Sequence, residues 1–136
     1  MYQFSKKSKI KLTQAHEKLQ LIAFEAIAIV DFTIIETHRS HERQTQLFEQ
    51  GDSKVEYSKH NYLPSHAVDI APYPIPKDWG ESDKKELARF YYLAGIWKAV
   101  AHQNNIKLRW GGDWSGDGDF TDQTFDDLLH FELIGV

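Results

Sequence analysis

The sequence predicts a compact fold of mixed helices and strands. Two long stretches, 8–30 and 82–104, repeat apolar residues at a helical period. Four short runs, 31–37, 67–71, 106–110 and 130–133, carry the β-branched, aromatic or alternating residues of strands. The chain has 136 residues, 41% of them hydrophobic, enough to bury a core within one domain. No internal repeat, low-complexity tract or linker interrupts it.

The first helix is expected over Ser8–Val30. Leu12, His16, Leu19, Ala23, Ala26 and Ile27 fall near a 3.6-residue period, and Ser8 or Thr13 is the candidate cap. Its expected function is packing. Asp31–Thr37 is the first strand and ends at His38-Arg39-Ser40. Ser40 is placed to cap a helix through Gln50, with Gly51 where a helix-ending glycine belongs. Arg39 therefore stands at a strand-to-helix junction, where a side chain is presented. An anion or oxyanion clamp and a surface salt bridge are both consistent with that position.

Residues 52–66 show no sustained period and read as a loop carrying Ser58 and His60. Ala67–Ala71 reads as a short strand with Asp69 in its middle. A carboxylate there is costly to bury without a partner, which could be a metal or a cation such as Arg39. Three prolines, Pro72, Pro74 and Pro76, and the Trp79-Gly80 pair then mark a loop. Ser82 or Asp83 caps the second long helix, through about Asn104, with Leu87, Phe90, Tyr91, Ala94, Trp97 and Val100-Ala101 on its apolar side. Gly95 inside it is unfavourable by about 1 kcal/mol relative to Ala unless another element approaches closely.

Ile106–Trp110 is a further short strand. The loop from Asp113 to Asp122 that follows is rich in Gly and Asp. Asp113, Asp117, Asp119 and Asp122 superficially suggest Ca²⁺, but the spacing is not that of an EF-hand and no Glu closes it. Turn chemistry and solvated carboxylates account for the loop. His130–Leu133 is the terminal strand, in which His130 and Glu132 share one face and Phe131 and Leu133 the other. Asp127 stands three residues before His130, within reach of whatever His130 binds.

Charge and composition narrow the function. A net charge of −4 argues against general nucleic-acid binding. The first 18 residues carry five lysines, which suit either a solvated helix face or contact with an anionic polymer. No signal peptide and no transmembrane stretch is visible, so no stable membrane association is expected. The chain has no cysteine, which excludes disulfides, thiolate ligands and a Cys nucleophile. Any metal must use His and carboxylates. The 58–73 stretch supplies an imidazole and a carboxylate, and 127–133 supplies another imidazole flanked by carboxylates. His, Asp and His suit Zn²⁺ with one position open, as in a catalytic site. Spacing alone leaves His60 and His66 as rivals for the first ligand.

Ser58-x-His60, Ala67-Val68-Asp69 and Asp127-x-x-His130-x-Glu132-Leu133 together resemble the motif set of the zinc D-alanyl-D-alanine carboxypeptidases and L-alanyl-D-glutamate endopeptidases. Arg39-Ser40 with Gln44, Gly51-Asp52-Ser53-Lys54 and Trp110-Gly111-Gly112-Asp113-Trp114 are similar to the short phage endolysins of that family. The resemblance covers about residues 30–134. It implies that His60, Asp69 and His130 hold zinc and that Asp127 is the general base. It implies that Arg39 steadies the oxyanion or a substrate carboxylate, that Ser58 holds substrate or orients the first ligand, and that Glu132 supports a ligand from outside. In one respect the chain departs from the family pattern. His60 and Asp69 are two residues further apart than in the common form, and Pro64 stands where the glycine turn would be.

The fold implied by the resemblance is α+β, of the Hedgehog and DD-peptidase type. In it a small, mainly antiparallel sheet carries the zinc site, with two long helices behind it. The implied function is zinc-dependent hydrolysis of the peptidoglycan stem peptide at L-Ala–D-Glu by a phage or prophage endolysin. It would act as a single-domain monomer over 1–136, held in the host cytoplasm until released to the bacterial wall. The alternatives are a D-Ala-D-Ala carboxypeptidase and a non-catalytic, zinc-stabilised wall-binding domain.

Overall fold

Four strands, β1 (Phe32–Glu36), β2 (Ala67–Pro72), β3 (Leu108–Gly111) and β4 (Asp127–Leu133), form one sheet in the order β1-β2-β4-β3. Every neighbouring pair is antiparallel. The helices are α1 (Lys6–Leu12), α2 (Glu17–Ala26), α3 (His41–Glu49) and α4 (Lys84–Gln103), with a 3₁₀ turn at Lys59–Asn61. This computed structural model describes residues 2–77, 83–119 and 127–136. Trp79, Gly80, Ser82 and Asp122 therefore lie outside the described residues. No helix among the described residues is long and apolar enough to cross a membrane.

The sheet has two chemically different faces. Val68 and Ile70 of β2 and Phe131 and Leu133 of β4 join the buried core, together with Leu19, Ile22, Ala23 and Ala26 of α2 and Leu93, Ala94, Trp97 and Val100 of α4. Trp97 is fully buried, its ring 5.1 Å from Phe131 and 5.6 Å from Phe32. Period-two alternation turns Asp69, His130 and Glu132 to the opposite face. Burying one face of the sheet against α4 and the core it shares with α2 thus fixes which side chains the other face presents.

The long first helix expected over 8–30 is two shorter helices. Thr13 ends α1, and His16 caps α2 through its ring nitrogen, which accepts from the Lys18 amide at 3.1 Å. Between them the backbone pairs with Ser65 instead of continuing the helix: His16 N donates to Ser65 O at 2.9 Å, and Ser65 N donates to Gln14 O at 2.8 Å. The apolar period runs on unbroken because both helices bury their apolar residues in one core. Ser5 is the N-cap of α1. Ser8, read as a candidate cap, is instead buried inside the helix, where its hydroxyl accepts from Ile34 N and meets Thr33 Oγ1, tying α1 to β1.

β4 begins at Asp127, three residues before the strand expected from His130, whereas other boundaries follow the sequence closely. Ser40 caps α3 by accepting from Arg43 N, and Gly51 beyond it has φ +82°. Asp83 caps α4 by accepting from the amides of Lys85 and Glu86. The close approach that would explain Gly95 is absent among the described residues, since a Cβ there would meet nothing within 4 Å. In the acidic loop, Asp113 accepts from Gly116 N at 3.2 Å and Gly118 N at 2.9 Å, and Asp117 accepts from Asp119 N. The loop's own amides thus engage these carboxylates as turn chemistry requires.

Candidate active site

Asp69 and His130 are paired across β2 and β4, so their side chains leave the sheet side by side. His60 arrives from the 52–66 loop on the 3₁₀ turn. The structure brings these three together: His60 Nε2 is 3.2 Å from Asp69 Oδ1 and 3.3 Å from His130 Nδ1, and His130 Nδ1 is 3.1 Å from Asp69 Oδ1. Among the described residues they are the group of His and carboxylate side chains that could hold a metal. The spacing suits one ion. Donors about 2.0–2.1 Å from a tetrahedral zinc stand roughly 3.3 Å from one another. Two imidazole nitrogens and one carboxylate oxygen are also the donor chemistry zinc takes.

The outer nitrogens of both imidazoles are fixed. His60 Nδ1 lies 2.6 Å from the Thr37 carbonyl, which can only accept, so Nδ1 carries a hydrogen and Nε2 is the nitrogen turned toward Asp69 and His130. His130 Nε2 lies 2.9 Å from Glu132 Oε1. Glu132 is held in turn by Lys59 at 3.3 Å and Arg109 at 3.7 Å. His66, the rival first ligand, is elsewhere. Its ring stacks on Tyr62 at 4.5 Å and meets His16 edge-on at 5.4 Å. Burial first, then His16 and Lys59, lower its pKa.

Burial opposes charge on Asp69, but hydrogen bonds from His130 and His60 outweigh it and hold the carboxyl well below the usual carboxylate range. Burial likewise opposes charge on His130, yet Asp69 and Glu132 push its pKa up to about 9. Glu132 is lowered: burial pushes it up, and His130 and Lys59 more than offset this. Asp127 moves the other way. Burial and then the Asp69 carboxylate raise its pKa, while His130, His60 and Arg39 pull against the rise. A carboxylate poised upward beside a cationic cluster is suited to accept a proton.

Strict alternation back from Phe131 would turn Asp127 toward the helices. A register shift between Trp110 and Gly111 breaks that alternation, and Gly111 pairs with Asp127 across β3 and β4. The approach is so close that a Cβ at Gly111 would stand 2.0 Å from the Asp127 carbonyl oxygen. Gly112 has a similar restriction, because a Cβ there would meet the Trp110 ring at 2.4 Å. The Trp-Gly-Gly-Asp-Trp run thus shapes the strand end that carries Asp127. Trp114 packs its ring 5.5 Å from that of His130.

Arg39 is part of the cluster and only slightly exposed. One guanidinium nitrogen is 3.6 Å from Asp69 Oδ2, another pairs with Glu36, and Nη1 donates to Gln44 Oε1 at 2.7 Å. Ser58 caps the 3₁₀ turn by accepting from His60 N at 3.1 Å. It orients the turn that carries His60, and it also lines the cleft. Asn61 accepts from Ser58 N at 2.8 Å and donates to the Arg39 carbonyl at 2.9 Å, coupling the His60 turn to the Arg39 junction. Sequence reasoning passed over Glu36 and Thr37 as supports. Their adjacency to Arg39 at the end of β1 was the available signal.

The cluster opens into a cleft of about 610 Å³, whose wall includes Arg39, Tyr57, Ser58, Trp114, Asp127 and Glu132. Arg39, Asp127 and the three clustered donors all face one space of a size that takes a short peptide.

A sequence model of the family described as phage L-alanyl-D-glutamate peptidase matches residues 1–134. The L-alanyl-D-glutamate peptidase of Escherichia phage T5 is 30% identical over 140 residues, spanning 98% of each chain. The crystal structure of the Serratia marcescens L-Ala D-Glu endopeptidase ChiX is similar at a TM-score of 0.75 with 26% identity. That match covers 96% of this chain and 89% of the other.

Proposed function

The chain belongs to the phage L-alanyl-D-glutamate peptidase family, and on that premise we propose how this peptidoglycan-cleaving peptidase works. His60, Asp69 and His130 hold a zinc ion, and the L-Ala–D-Glu bond of the stem peptide lies across the cleft. When bound, zinc supplies a Lewis acid that polarises the scissile carbonyl and lowers the pKa of a water to about 7. Asp127 accepts the proton of the attacking water and returns it to the leaving amine. Arg39 steadies the oxyanion or a substrate carboxylate, and its anchors on Glu36 and Gln44 keep the guanidinium from collapsing onto Asp69. Glu132 and the Thr37 carbonyl hold the two imidazoles in register. Ser58 orients the His60 turn.

The observation that carries this reading is the convergence of two imidazole nitrogens and one carboxylate oxygen at 3.1–3.3 Å, beside an Asp whose pKa is raised. One domain over 1–136 acts as a monomer, kept in the host cytoplasm until it is released to the wall.

Mass spectrometry of purified peptidoglycan digested with and without a zinc chelator tests the reading. Chelator-sensitive fragments with a new D-Glu N-terminus are expected. Loss of a terminal D-Ala alone would instead establish a carboxypeptidase. No new product from zinc-loaded protein would leave a wall-binding domain.

A further inference from the structure

We propose that the ledge formed by Tyr57 and Tyr62, next to the catalytic cleft, is a subsite for the amino sugar that bears the stem peptide. The inference rests on the peptidase reading above and extends it from peptide to glycan. A second hollow of about 370 Å³ is lined by His41, Tyr57, Ser58, Lys59, Asn61 and Tyr62. It shares Tyr57, Ser58 and Lys59 with the catalytic cleft, so the two spaces meet along one wall.

The two tyrosines are unusually open for large aromatic residues, with Tyr57 73% and Tyr62 57% exposed. Neither ring is loose. Tyr62 lies flat on His66 with centroids 4.5 Å apart and planes at 22°, and Tyr57 meets His41 edge-on at 6.0 Å. Among the described residues neither hydroxyl has a hydrogen-bond partner. A braced, exposed tyrosine offers an apolar face and a free polar tip at little entropic cost. That combination suits a pyranose, whose ring carbons present an apolar C–H face and whose rim carries hydroxyl and acetamido groups.

The chemistry of the substrate sets the distance. L-Ala is the first residue of the stem, and its nitrogen is acylated by the lactyl group of the muramyl sugar. Cutting after L-Ala leaves one residue between the scissile carbonyl and that lactyl carbonyl. At about 3.5 Å per residue, the sugar must lie within roughly 7 Å of the reacting carbon along the chain. A cleft that seats this bond cannot avoid the glycan, and the hollow that adjoins it carries aromatic faces. Lys59 and Ser58 line both spaces.

The test compares two substrates on the full chain: the free L-Ala–D-Glu–diamino acid peptide and the same peptide carrying the disaccharide. The native chain is expected to show about tenfold higher kcat/KM on the glycosylated form. In the Tyr57→Ala, Tyr62→Ala double variant that ratio should fall close to one. A native ratio near one, or a ratio unchanged in the variant, overturns the subsite. Both rings are exposed, so the substitutions leave the core untouched. NMR titration of the native chain with the peptide-free disaccharide reads the same subsite without catalysis. Shifts at Tyr57, Tyr62 and His66 are expected, and their absence overturns the proposal. Failure of the native chain to cut either peptide would count against the peptidase reading alone, since the titration still decides the subsite.

Discussion

Asp69 Oδ1 stands 3.1 Å from His130 Nδ1 at directly paired positions of β2 and β4. In the metal-free protein this contact, with Glu132 on the far nitrogen, holds a proton on His130 to about pH 9. A metal that takes Nδ1 must displace that proton. Apparent zinc affinity should therefore rise with pH through neutrality and level off only near pH 9. An ordinary His would already be level above about 6.5. Calorimetry in two buffers of different ionisation enthalpy should show close to one proton released at pH 7. Metal-free stability runs the opposite way. A folded pKa above the unfolded one contributes fully below about pH 6.5 and is lost as pH rises through 9. The melting temperature of the metal-free chain should fall over that window, and that of the zinc-loaded chain should not follow.

Glu132 touches the imidazole on the side away from the converging donors, at 2.9 Å. Glu132→Gln keeps a side-chain oxygen there but removes the charge. Metal affinity should drop about 10–100-fold, as for other carboxylates that support a ligand from outside. Competition with a chromogenic chelator measures it, and unchanged affinity would remove Glu132 from the metal's support.

The strand that carries this pair was legible in the sequence because period-two alternation is local: His130 and Glu132 must share a face whatever surrounds them. The other strands, the cap at Ser40, the cap at Ser82 or Asp83 and the turn at Gly51 were legible because their signals are local too, whereas the antiparallel sheet that joins the strands was implied only by the family resemblance. The break at residues 13–16 was not. What ends α1 is a backbone bridge to Ser65, some fifty residues away, and the apolar period carries no trace of it. Thr37 was hidden differently, since it supports His60 through a carbonyl that every residue possesses. Spacing alone left His60 level with His66. The separation comes from the 3₁₀ turn, which Ser58 and Asn61 cap together so that His60 points inward.

Asp127 reaches the site through a register shift, not through alternation, and Gly111 makes that shift sterically possible. Asp127→Asn should lower kcat by about 10²–10⁴-fold with zinc still bound, because it removes the proposed proton acceptor and none of the three proposed ligands. Gly111→Ala should reach a similar loss by another route. The added methyl must push the Asp127 backbone away, at a cost of roughly 1–3 kcal/mol in stability. Thermal melts separate the two variants: only the alanine should destabilise. Full activity in Gly111→Ala would show that Asp127 need not sit where the register shift puts it.

Gln44 ties the guanidinium of Arg39 to the wall of the cleft. It is fully buried, accepts from Arg39 Nη1 at 2.7 Å, and donates to Ser53 Oγ at 2.9 Å and to the Val55 carbonyl at 2.7 Å. Every polar atom of the amide is thus engaged, and two of its three bonds hold the loop that lines the cleft. Gln44→Ala leaves buried groups without partners and should cost on the order of 1–3 kcal/mol. Its functional effect is more specific. With Glu36 as the remaining anchor, the guanidinium can swing toward Asp69, already 3.6 Å away. An Arg that pairs with a metal-facing carboxylate is lost to the substrate. The variant should bind zinc as the native chain does yet show kcat reduced about tenfold or more, with KM changed less. Gln44→Glu restores an acceptor for Arg39 but not the donors to Ser53 and Val55. It should recover part of kcat without recovering the melting temperature, a split that a purely structural Gln44 would not produce.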